Sequence, residues 1–233
     1  MALGEATRVG TAFRFGVNET VPSGLASHNG TLYMVGAGRD VLYTLNTTTG
    51  VVTRVGSVSR FGVNESSPGG LASHNGTLYM VGDTNDALYT LNTTTGVATR
   101  VGTAFQFGVS ERIPAGLASH GGALYMVGER FNVLYTLNTT TGVATKVGTA
   151  TGFGVGETSP TGLASHNGTL YMVEQTADAL YTLNTTTGVA TRVGTAFRFE
   201  VNESLPSGLA SHGGALYMVG NANTTKHLSL IHI

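Results

Sequence analysis

Apolar residues along this chain fall in short runs that are hydrophobic on both sides of an extended backbone, such as LYMV at 32–35 and LYTL at 42–45. No segment keeps a helical period over three turns, so the runs read as strands. Apolar residues on both sides mean strands covered on both faces. Turn chemistry separates them. GLASH (24–28) passes through Asn29-Gly30 into TLYMV, and both turn positions tolerate the positive φ of a type I′ hairpin. A variable polar stretch, GAGRD (36–40), precedes VLYTLN. TTTG then turns into VVTRVG, with Gly50 suited to a left-handed bulge position. The unit is a meander of four short strands.

That unit returns every 46 residues, marked by His28, His74, His120, His166 and His212 and by Pro22, Pro68, Pro114, Pro160 and Pro206. The third and fifth copies carry Gly-Gly in place of Asn-Gly, which meets the same backbone demand. Repeated four-stranded units of this length predict an all-β fold, a five-bladed β-propeller. A β-solenoid and a stacked sandwich are the other architectures the pattern allows. The repeats span 11–56, 57–102, 103–148, 149–194 and 195–225, and together with 5–10 they form a single domain over 1–225. EATRVG (5–10) matches a fourth strand and Gly208 to Val219 the first two strands of the fifth copy. The two ends are therefore expected to close the ring in one blade, an open fragment of a larger propeller being the alternative. The tail 226–233 leaves the repeat. Its last six residues, LSLIHI, resemble the translated end of a transposon adapter, and a divergent native strand is the other reading. Either way the tail is apolar enough to fill the vacant third-strand slot with imperfect register.

The sequence Pro-x-Gly-Leu-Ala, followed by Leu-Tyr-Met-Val and Leu-Tyr-Thr-Leu, resembles the NHL-type family of propeller repeats. It is also similar to bacterial extracellular propellers with LYTLNTTTG-like hairpins. The resemblance covers all five copies and implies the fold. NHL blades usually carry an acidic residue where this chain has Ser-His, so no NHL binding site transfers. The blade count resembles that of tachylectin-type lectins by analogy alone.

Charged residues are 11% of the chain and the net charge is −1, so nothing favours nucleic acid or an anionic membrane surface. No apolar run reaches the length of a membrane-spanning helix. There is no cysteine, hence neither disulfides nor thiolate chemistry. The amino-terminal residues lack the basic and apolar regions of a signal peptide. Eight of the eleven Asn-x-Ser/Thr triplets are NTT or NGT turns, so turn chemistry accounts for them; an extracellular location is the expectation. A monomer with no cofactor and no metal is expected.

Differences between copies collect in two loops that emerge on one face of the ring. These are the connector into each repeat and the loop between its second and third strands. Relaxed drift of exposed loops explains this, and so does a binding face. Each connector carries a glutamate: Glu19, Glu65, Glu111, Glu157 and Glu203. Arg39, Asp40, Asp83, Asp86, Arg130 and Asp178 in the neighbouring loops complete the candidate set. Carboxylates accept hydrogen bonds from sugar hydroxyl pairs, so glycan sites between adjacent blades are the expectation. The glutamates equally suit the backbone N–H groups of their own connectors. The fifth site is expected to be defective, since Glu200 replaces the glycine found at 16, 62, 108 and 154. Phe15, Phe61, Phe107, Phe153 and Phe199 read as plugs beneath the loops. The five histidines read as structural hydrogen-bond partners, with an axial anion or metal ring as the alternative. Serine and histidine adjacent in a strand point to opposite faces, so no pair forms a nucleophile–base contact by itself. Near-identical blades offer few distinct catalytic roles, and no enzyme is expected. The function expected is multivalent, lectin-like carbohydrate binding. A structural or protein-interaction propeller without a small-molecule site is the alternative.

Overall fold

The computed structural model describes the chain except residues 1–5, 11–14, 16, 18, 20, 156–158, 195–204 and 223–224. The described residues form five four-stranded antiparallel sheets. Strand β1 (Ala6–Val9) precedes the first complete blade, which is β2 (Pro22–His28), β3 (Thr31–Gly36), β4 (Val41–Leu45) and β5 (Val52–Arg54). The second blade is β6 (Pro68–His74), β7 (Thr77–Gly82), β8 (Ala87–Leu91) and β9 (Ala98–Arg100). The third is β10 (Pro114–His120), β11 (Ala123–Gly128), β12 (Val133–Leu137) and β13 (Ala144–Lys146). The fourth is β14 (Pro160–His166), β15 (Thr169–Glu174), β16 (Ala179–Leu183) and β17 (Ala190–Arg192). The fifth sheet joins β18 (Leu205–His212), β19 (Ala215–Ala222) and β20 (Thr225–Ile231) to β1, in the order β18-β19-β20-β1. Inner strands β2, β6, β10, β14 and β18 each pack on the next, and β18 packs back on β2. The ring is a closed five-bladed propeller.

The turns follow from residue type. Asn29 and Gly30 adopt φ of 47° and 73°, and Gly121-Gly122 in the third blade adopt 54° and 80°. In the outer turn, Asn46 Oδ1 accepts from the N–H groups of Thr48 and Thr49 at 2.9 Å each. This side-chain mimic of a backbone turn recurs at Asn92, Asn138 and Asn184.

The two-sided apolar strands are explained by the blade interfaces. Tyr79, Val81 and Leu88 of the second blade pack on the third, whereas Leu78, Met80 and Tyr89 pack on the first. Each of the five apolar cores lies between two blades. Close to the axis the inner strands come so near one another that a Cβ on Gly70 would overlap the backbone of Gly116 and Leu117.

The tail enters the ring as the third strand of the fifth blade. Leu228 faces Val219 and Val9, while Ile231 faces Leu216 and Ala6. In the first blade Leu42 faces Val35, and Leu45 faces both Leu32 and Val52. Leu228 and Ile231 thus take the places of Leu42 and Leu45, though the 46-residue period would put the former at 226. An offset of two residues preserves which side chains face inward. Leu228 and Ile231 are buried, and Ser229 stands where the other blades have a tyrosine.

This register predicts different outcomes for alternate residues of the tail. Leu228→Ala should cost about 2–4 kcal/mol through a core cavity. Leu230→Thr, which restores the residue of the other blades, should change stability by less than about 1 kcal/mol. Urea unfolding followed by circular dichroism reads both, and equal losses would contradict the register.

Candidate functional site

The connector leaves each outer strand and turns inward through a left-handed turn. Arg60, Phe61 and Gly62 have φ of 48°, 53° and 73°, closed by bonds from Gly62 N–H to Ser59 C=O and from Val63 N–H to Arg60 C=O. Positive φ is costly for phenylalanine and tolerable for glycine. The turn drives Phe61 into full burial, as it does Phe107 and Phe153, and Phe15 is buried with φ of 56°. These are the expected plugs. Phe199 and Glu200 lie outside the described residues, and so does the expectation that the fifth site is defective.

Beyond the plug, the connector glutamate turns inward and is fully buried at Glu19, Glu65 and Glu111. Glu19 Oε1 accepts from the N–H groups of Val21 (2.9 Å) and Gly38 (3.0 Å), and Oε2 from the Tyr43 hydroxyl (3.1 Å). Glu65 accepts from Thr84 N–H, Asn85 Nδ2 and the Tyr89 hydroxyl. Burial and the adjacent Glu65 carboxylate push the Tyr89 hydroxyl up to about 12, so its proton stays available for donation. Glu111 accepts from Arg112, Ile113 and Arg130 N–H and from Tyr135, although burial still raises its pKa. The carboxylate pins the connector to the second-to-third loop of its own blade. In the fourth blade Glu174 does this work. Its Oε1 accepts from Ser159 and Thr176 N–H, the counterparts of Val21 and Gly38. The first three blades have glycine at that position, where a Cβ would overlap the connector carboxylate. Glu157 and Glu203 lie outside the described residues.

The remaining candidates separate into three places. Asp40, Asp86 and Asp178 occupy one left-handed position of the second-to-third loop, with φ of 53°, 44° and 46°, as does Asn132 at 51°. Asp40 Oδ1 accepts from Ser67 N–H of the next connector at 3.2 Å, so this residue latches neighbouring blades. Burial raises the pKa of Asp40, opposed by Arg60; it raises that of Asp86 too, opposed by Arg112. Arg39 is exposed on its loop. Arg130 bonds to the Ser110 carbonyl and lies 4.9 Å from the Phe131 ring centre. Phe131 is 44% exposed and walls a groove of about 330 Å³ between the third-blade loop and the next connector, with Val109, Lys146 and Thr151.

Only Asp83 stands at the axis. The first loop residue after each second strand stays tied to the inner strand, Ala37 N–H to Val21 C=O, Asp83 to Ser67, Glu129 to Ile113 and Gln175 to Ser159, at 2.8–3.1 Å. The 46-residue period puts Asn221 at the same position of the fifth copy, and all five residues differ. Ala37, Asp83 and Glu129 line an axial mouth of about 280 Å³ together with Val21, Ile113 and Pro114. Glu129 Oε1 accepts from the Ser159 hydroxyl at 2.9 Å. Burial, with Asp86, Glu65 and Glu129 nearby, raises the Asp83 carboxyl to about 6. Glu129 and Gln175 were not among the sequence candidates, and the signal that marks them is their column, the first loop residue compared across copies.

At the opposite face the serines and histidines meet across blades. His28 Nδ1 lies 2.8 Å from Ser73 Oγ, and the contact repeats as His74–Ser119, His120–Ser165, His166–Ser211 and His212–Ser27 at 2.8–2.9 Å. The chain of contacts runs once around the ring. Adjacent residues such as Ser27 and His28 do point apart, as expected, but each serine meets the histidine of the preceding blade. Asn29, Asn75 and Asn167 donate Nδ2 to Nε2 of their histidines at 3.0–3.1 Å. Nε2 is therefore the acceptor and Nδ1–H donates to serine. No group of three or more metal-ligating side chains gathers among the described residues.

No protein-family model and no curated protein matches the sequence. Solved structures match by fold. A glutaminyl cyclase from Myxococcus xanthus aligns over 100% of this chain and 99% of its own at 16% identity, with a TM-score of 0.69. A chain of a nidogen/laminin complex covers 93% and 82% at 16% identity and 0.60. The PQQ-bound aldose sugar dehydrogenase of Streptomyces coelicolor covers 99% of both chains at 14% identity and 0.58. Propellers of this fold thus include enzymes as well as a protein-interaction partner. The expectation that repetition rules out an enzyme is overturned, because two of these neighbours are enzymes. Its physical premise fails as well: near-identical strands can still deliver unlike residues to one mouth.

Two predictions separate the buried carboxylates from the axial one. Glu65→Gln turns an amide N–H₂ toward donors and should destabilise the fold by about 1–3 kcal/mol in thermal or urea unfolding. Asp83 behaves oppositely. Its folded pKa lies above the ordinary 3.8, so the native state holds the extra proton and stability falls as pH rises from about 4 through 6. Asp83→Asn should remove that fall, as followed by melting temperature against pH.

Proposed function

We propose that the protein is a ligand-binding propeller whose site is the axial mouth on the connector face, and that a saccharide is the ligand class it takes. One observation carries the reading: within the variable loops, the position of Ala37, Asp83, Glu129, Gln175 and Asn221 carries a different residue in all five copies. Unlike residues around one axis make a single asymmetric site, as one bound molecule requires. Asp83 and Glu129 offer acceptors for hydroxyl pairs, and Val21, Ile113 and Pro114 offer an apolar wall for a sugar ring face. Val21 and Ile113 are 48% and 42% exposed, large values for such side chains. The NHL-type likeness of the repeats supports the fold behind this reading.

The groove beside Phe131 favours a second reading, glycan binding between blades, because an exposed aromatic ring stacks on sugar faces. One set of titrations decides between them. Saccharides found on a glycan array would be titrated by calorimetry against Asp83→Asn/Glu129→Gln and against Phe131→Ala. The axial reading expects about tenfold or greater weakening in the double variant, since hydrogen bonds to charged groups are at stake. It expects little change in Phe131→Ala, and weaker binding to the unaltered protein below about pH 6, where Asp83 takes up its proton. The reverse pattern moves the site to the groove. A silent array together with capture of a single protein partner rejects both.

A further inference from the structure

The other end of the axis carries a different chemistry. Ser27, Ser73, Ser119, Ser165 and Ser211 ring a small well of about 90 Å³, and its remaining lining is the leucine and alanine that precede each serine. We propose that this well binds one small monovalent anion of halide size on the axis.

The argument rests on where the protons are. Asn29, Asn75 and Asn167 each donate to Nε2 of the preceding histidine, which places the imidazole proton on Nδ1. Nδ1–H of His28, His74 and His166 then donates to Oγ of Ser73, Ser119 and Ser211. A serine that accepts this bond retains its own O–H proton, and none of the five hydroxyls makes another hydrogen bond among the described residues. At least three O–H donors, backed by oriented imidazoles, therefore remain for an occupant of the well. No carboxylate or carbonyl acceptor is supplied by the lining side chains, which are leucine, alanine and serine. Convergent donors in a partly apolar setting select an anion. The volume admits a halide with a few waters, as a water needs about 10–15 Å³ of such space, and it is too small for a sugar. His120 and His212 have Gly121 and Gly213 in place of the asparagine, so their serines are held less firmly in the accepting role. Histidine is the orienting group here and serine the ligand, which differs from a ring of metal-binding histidines.

Crystals of the unaltered protein soaked in bromide test the site directly. Anomalous density on the axis among the five serine oxygens is expected. In solution, chloride-35 resonance should broaden on adding the protein, and Ser73→Ala/Ser119→Ala/Ser211→Ala should reduce that excess width about tenfold or more. Water alone on the axis overturns the proposal, and so does broadening that a folded triple variant retains. Should that variant fail to fold, the bromide density decides the matter.

Discussion

No blade of this protein can exist alone. Each strand is apolar on both faces, so a blade lacking either neighbour exposes half of its core to water. Five interfaces satisfy five blades only if the last meets the first, and closure is therefore the condition on which every other feature depends. The serine–histidine contacts follow the same rule. Each joins residues of successive blades, and the final one, His212 to Ser27, spans 185 positions of sequence. Hairpins and Asx turns need only local sequence and four of these contacts need only two adjacent blades, whereas the His212–Ser27 contact forms only when the ring closes.

The buried glutamates show how the fold uses charge within that ring. A carboxylate in a protein interior is tolerated when donors satisfy it, and the connector and loop N–H groups need an acceptor of their own. One residue answers both needs. The fourth blade shows that the requirement attaches to a location: Glu174 supplies the carboxylate from the strand side and meets counterparts of the same two N–H groups. The same economy keeps Glu19, Glu65 and Glu111 away from solvent, which leaves ligand chemistry to the less regular loop residues.

Much of the architecture was legible in the sequence because turns and strands are written locally. Asn29-Gly30 requires positive φ whatever surrounds it, and LYMV requires cover on two faces. The ring closure was legible for a similar reason, since β1 matches the fourth strand of every other blade. The glutamates were harder. Whether Glu65 points out or in depends on the left-handed turn at Arg60–Gly62, which puts a phenylalanine in a conformation that propensity disfavours. The serine–histidine pairing was hidden because the partners are 45 residues apart and belong to different sheets. Glu129 escaped because the sequence does not show which of the variable loop residues faces the axis, a fact that needs the loops placed around the ring.

The position of β1 has a consequence for how the chain finds its ring. β1 is a fourth strand, and four of the five third strands already have a fourth strand tethered to them by a short turn. A tethered strand competes at an effective concentration in the millimolar range for short flexible linkers, far above what a distant amino terminus achieves. β1 is thus excluded from the four occupied edges by kinetics as well as by sterics. Its partner is β20, the third strand with no fourth strand tethered to it, so a single vacant edge is what keeps a chain of look-alike blades from closing on the wrong neighbour.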